Sequence, residues 1–128
     1  MKKIKQTSKI CTHTSQRHKE QQRYDADWSL GFAAGQAFAK DLACASHIHS
    51  IAMRAREIQT KGLYLSASAM LQELILIINN AASLSEIAIQ LFGEPSPTPV
   101  TIRAFFFGVE DVYIELYPSV SISQKKDH

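Results

Sequence analysis

An all-α fold, a small helical bundle of about four helices with a basic N-terminal arm, follows from three observations on this 128-residue chain. From Trp28 onward, apolar residues recur at steps of three and four, the spacing that keeps one helix face turned toward a neighbour. Two helix-start signals stand further on, Ser83-Leu-Ser-Glu86 and Thr98-Pro99. Third, the run Glu94-Pro-Ser-Pro-Thr-Pro99 divides the chain sharply before its last element.

The arm comes first. Residues 1–23 hold Lys2, Lys3, Lys5, Lys9, Arg17, Lys19 and Arg23 against Glu20 alone, a net +6 inside a chain whose total is +2. Ile4 and Ile10 are their main apolar anchors, too few for burial to offset the cost of ordering. The segment is expected to be disordered or loosely helical. Its charge suits phosphate contacts that do not read sequence, or an acidic partner, or solubility alone.

The first helix is expected to start at Asp25 or Asp27, whose carboxylates suit a helix N-terminus, and to run to about Gln59 before the stop signal Lys61-Gly62. Trp28, Gly31, Gly35, Phe38, Leu42, Ala45, His49 and Ala52 fall on one face of it. Glycine in a helix interior costs roughly 1 kcal/mol relative to alanine. Two glycines one turn apart therefore imply the close approach of another backbone. Leu30, Ala34, Ala37, Ile48 and Ala55 form a second apolar flank, so the helix needs cover on two sides. That need points toward self-association, with a homodimer favoured and with Trp28, Gly31, Gly35, Phe38, Leu42 and His49 as the interface.

A second helix spans roughly residues 63–80, with Leu71, Leu74, Ile75 and Ile78 as its core stripe. A third starts at the Ser83/Glu86 capping box and stops at Gly93, where a left-handed residue is favoured. Residues 100–117 admit two readings. As a helix capped by Thr98 with Pro99 in its first position, they place Ile102, Phe105, Phe106, Val109, Val112, Tyr113 and Leu116 on one face. As a β-hairpin they would make the fold α+β. The caps and the clean helical period favour the helix. The expected layout is an arm at 1–23, a helical domain at 24–118 and a flexible tail at 119–128.

Chemistry is sparsely signposted. Cys44 and His47 could share a helix face, and Cys11, His13 and His18 could gather in the arm, yet no second ligand pair completes a tetrahedral set. A functional metal and a cofactor are therefore not expected. His49 within an apolar seam could fix register or respond to pH. Glu110, Asp111 and Glu115 are the carboxylates for an acid–base site, which requires them to line a cleft; as a solvated helix face they need no such role. Nucleophile and phosphate-loop motifs are missing. Phe107 and Ile114 fall outside the apolar face of the last helix, and exposed together they would make a patch for a partner.

The basic start is not followed by an apolar segment, and every apolar run is far shorter than the ~20 residues of a membrane span. A cytoplasmic chain without membrane contact is expected, and its two cysteines fit a reduced compartment. The expected role is non-catalytic: an adaptor or inhibitor-type accessory protein of bacterial or phage kind, self-associating and binding a larger protein. The alternative is a nucleic-acid-associated protein using Lys2 to Arg23.

Overall fold

The computed structural model describes the backbone of residues 2–118 and the side chains of residues 17–118. It contains five helices: α1 Lys2–Asp41, α2 Ala45–Lys61, α3 Ala67–Ile78, α4 Leu84–Phe92 and α5 Pro99–Leu116. Among the described residues there is no strand. The all-α expectation is met, and the hairpin alternative for 100–117 is corrected to helix. The expected tail at 119–128 lies outside the described residues.

α5 forms because Thr98 caps it, accepting from the Thr101 backbone N–H, and Pro99 occupies its first turn. Nine of its residues are buried, from Thr101 to Tyr113. Among the described residues no other helix buries as many, and the remaining elements are arranged around it. α1 and α5 run in the same direction, as shown by successive pairings of Asp27 with Thr98, Gly31 with Thr101, Gly35 with Phe105 and Gln36 with Asp111. α2 runs opposite to α5, with His49 beside Tyr113, Arg56 beside Glu110 and Leu63 beside Arg103.

The glycines explain the α1–α5 contact. A Cβ on Gly31 would lie 2.7 Å from the Thr101 carbonyl carbon and closer still to its oxygen. On Gly35 it would meet the Phe105 carbonyl in the same way, and on Gly108 of α5 it would meet the Phe32 carbonyl, 3.0 Å from the carbon in each case. Glycines on both helices thus let each backbone enter the other. The close approach expected at Gly31 and Gly35 is found, and the approaching backbone belongs to this chain. Both glycines are buried in the single chain. A second copy is not needed to account for them.

The expected single helix to Gln59 is instead broken at residues 42–44, which corrects the seam. Leu42 and Ala43 both donate to the Phe38 carbonyl, and Cys44 adopts an extended conformation at the start of α2 without a capping side-chain hydrogen bond. No glycine or proline marks this break. Its cause is tertiary: an unbroken helix would carry Ile48, Ile51, Ala52, Ala55 and Ile58 away from the bundle, whereas the turn lays them against α5, where all are buried. Leu42 is left 72% exposed at the corner.

The expected start at Asp25 or Asp27 is also corrected, since α1 is already helical from Lys2 and would measure about 60 Å end to end. Asp27 caps nothing on α1 and instead accepts from the Thr98 hydroxyl at 2.9 Å, tying the two helices at their common end. The helix expected over 63–80 is shorter, because Ser66 caps α3 and accepts from the Ala69 N–H. At α4 the capping box is complete, and Gly93 closes the helix with φ 77°. Arg54 binds both Glu57 and Glu73, fixing α2 to α3.

Replacing Gly31 or Gly108 by alanine is expected to destabilise the fold by about 1–3 kcal/mol through backbone displacement, although alanine is the better helix former by roughly 1 kcal/mol. Urea unfolding measures this. An unchanged or raised midpoint would show that the backbones are not in contact.

Candidate protein-interaction site

Beside the α1–α5 contact, spacing of four along α1 brings Tyr24, Trp28 and Phe32 onto one edge. Their rings stack in sequence, with 6.5 Å between centroids at both steps. Phe107 of α5 joins the row, 5.7 Å from Trp28. The row forms one wall of a groove of ≈ 480 Å³ whose floor is the open stripe of α5: Arg103, Phe107, Glu110, Asp111 and Ile114. The two residues expected outside the α5 core, Phe107 and Ile114, therefore do lie together on a surface. They lie next to Trp28.

Arg103 is positioned by the turn after α2. Its guanidinium donates to the Leu63 carbonyl at 2.6 Å and lies over the rings of Tyr64 and Phe107, 5.2 and 5.6 Å from their centroids. On its other side opens an apolar recess of ≈ 410 Å³ between Tyr24, Tyr64, Leu65, Met70, Pro99 and Val100. Tyr64 is 91% exposed, so its ring rests on Arg103 and little else. Stacking of this kind holds a guanidinium and an aromatic ring together while leaving both accessible.

The acidic end of the groove is ordered by neighbouring helices. Glu110 accepts from Arg56 at 3.0 Å, and Asp111 accepts from the Gln36 amide at 3.0 Å. Burial raises the Glu110 carboxyl above its ordinary value, while the hydrogen bond and charge of Arg56 pull the other way. Glu110 and Asp111 thus line a groove as an acid–base pair would, each tied to a side chain of another helix. Glu115 is exposed and lies outside the groove.

The sequence-derived interface residues separate. Trp28 lines the groove, Gly31 and Gly35 lie under α5, and Phe38 is buried against Phe105 with ring centroids 5.5 Å apart. Leu42 sits at the corner between helices. His49 is exposed beside Tyr113, its Nδ1 hydrogen-bonded to the phenol oxygen at 3.0 Å. Phe38, Gly31 and Gly35 therefore belong to the core of one chain and cannot meet a partner unless the bundle opens.

Cys44 is exposed, and a hydrogen bond from Ser46 lowers its thiol below the ordinary value. No group of three metal-ligating side chains occurs among the described residues. Of the basic residues 2–23, the side chains of Lys2, Lys3, Lys5 and Lys9 lie outside the described residues; Arg17, Lys19 and Arg23 are exposed along α1. Sequence reasoning misses Arg103, Tyr64 and Tyr24 as site residues. The four-residue spacing of Tyr24, Trp28 and Phe32 was the available signal for the aromatic row. The place of Arg103 depends on where the turn after α2 folds, which no local pattern encodes. Comparison with protein-family models, curated proteins and solved structures finds no match to this chain.

Because the folded state holds the Glu110 proton to higher pH than the unfolded chain does, the stability from this group is complete below the ordinary value of 4.5 and is lost as pH rises through the raised value. Glu110→Gln is expected to remove that loss. Melting temperature measured against pH should rise relative to wild type across that window. Parallel profiles for the two proteins would contradict the assignment.

Proposed function

We propose that this chain is a non-catalytic interaction protein, of adaptor or inhibitor type, whose protein-binding face is the aromatic groove between α1 and α5. The observation that carries this reading is the row Tyr24–Trp28–Phe32–Phe107, left partly open next to a tightly packed core, with Tyr24 48% and Ile114 38% exposed. Aromatic and arginine side chains supply most of the binding energy where proteins meet, especially when a polar rim surrounds them. Here Arg103 and Asp111 supply the polar groups beside the aromatic row. The glycine seam plays the internal role, holding the two walls of the groove at fixed separation.

A photo-crosslinking amino acid at Ile114 or Tyr24, introduced in the native host, tests the reading. A discrete protein adduct is expected from these two positions and not from Leu76, which is exposed on α3. Equal adducts at all three positions, or none anywhere, would oppose it.

A second reading is supported by one observation. Arg17, Lys19 and Arg23 are exposed on the same helix that enters the aromatic row. A basic helix of this composition suits phosphate binding without base reading. Binding of a labelled duplex should then weaken steeply with salt and vanish when residues 1–23 are deleted. Duplex affinity that survives the deletion would exclude the arm.

A further inference from the structure

Three charged side chains line the groove from α5; Glu110 is paired with Arg56, which leaves Arg103 and Asp111, of opposite signs. Arg103 donates to a backbone carbonyl and rests on aromatic rings; Asp111 accepts from a neutral amide. Among the described residues neither forms an ion pair, whereas Arg54, Arg56 and Lys61 each have a carboxylate partner. Eight residues separate the two along α5, which is about 12 Å. Phe107 stands midway between them.

The pattern extends outward from Phe107. Seven residues beyond it is Ile114, exposed at the edge of the groove; seven before it is Val100, lining the adjoining recess. Read along the helix, the stripe is apolar, cationic, aromatic, anionic, apolar. Turned end for end, it presents each charge to its opposite and each apolar residue to another apolar residue.

We propose that this stripe binds a second copy of the chain across a two-fold axis passing near Phe107. Arg103 of each copy then faces Asp111 of the other, and Ile114 of each faces the other's Val100. Any contact made in such an interface is made twice. An unrelated partner would need its own cation and anion at the matching interval. A second copy carries them by construction. The aromatic walls supply the apolar area that association requires, and the ion pairs set the register. This proposal rests on the groove being a protein-binding face and names its occupant.

The test is sedimentation equilibrium of the full chain, with Arg103→Glu and Asp111→Arg examined separately and then mixed. Wild type is expected to dimerise. Each variant alone should associate roughly tenfold more weakly or worse, since both symmetric contacts become repulsive. An equimolar mixture should recover the affinity, because the pairing of unlike variants restores attraction at both sites. Asp111 is exposed, and circular dichroism checks that Arg103→Glu, which loses the Leu63 hydrogen bond, is still folded. Should it not fold, Asp111→Arg and Ile114→Glu must each weaken the wild-type dimer.

A monomeric wild type overturns the proposal, as does a dimer indifferent to these substitutions or a mixture no tighter than its components. A monomer that still crosslinks another protein through Ile114 removes the dimer and leaves the interaction face standing. A chain with neither adduct nor dimer removes both.

Discussion

The interlocking of two helix backbones, α1 through Gly31 and Gly35 and α5 through Gly108, sets where every other helix can pack. Helix pairs separated by ordinary side chains lie about 8–10 Å apart. Here carbonyl groups occupy the places that Cβ atoms would take, so the two backbones are in direct contact at these positions. α5 can then be buried along most of its circumference, with Phe105, Phe106 and Val109 fully enclosed. α2 covers it from the other side, and α3 and α4 complete the enclosure through Leu74, Ile75, Ile87 and Ala88. Fixing α1 on α5 also fixes the aromatic row. Trp28 and Phe107 stack because Gly31, Phe32 and Gly108 set the depth of the contact one turn away.

That rigidity gives the groove its character. Its walls are aromatic rings anchored on two helices that cannot slide, and rigid aromatics lose little conformational entropy on binding. Its charges are placed by different means: Arg103 through the turn following α2, Glu110 through Arg56, Asp111 through Gln36. Each hydrogen bond comes from a different element, so the surface is a property of the assembled bundle. The same assembly removes Gly31, Gly35 and Phe38 from contact with any partner, because they are buried in the chain's own core.

Where local chemistry sets the structure, the sequence was readable. Ser83 with Glu86, Thr98 with Pro99, and Gly62 and Gly93 mark helix ends by satisfying backbone groups close at hand, and all four were legible without coordinates. The core face of α5 followed from its period, except that Leu116 is 54% exposed beyond the last covering helix. The glycine pair announced a close contact but not its partner, because glycine spacing reports how near a backbone comes and nothing about which one. The break at 42–44 was invisible for a related reason. Leu42-Ala43-Cys44-Ala45 favours helix locally, and only the burial of α2 against α5 overrides it. The groove suffers most from this limit. The helical period pairs Phe107 with Ile114, but only the parallel packing of α1 on α5 brings Trp28 to them.

Nuclear Overhauser contacts at the glycine positions, in a sample mixing isotope-labelled and unlabelled chains, decide whether the seam is filled from within one chain. Contacts from the Gly31 and Gly35 α-protons to Thr101 and Phe105 are expected within labelled chains alone, at every protein concentration. The same contacts appearing in the channel that reports labelled against unlabelled chains would place another copy's helix in the seam, and the single-chain bundle described above would be wrong.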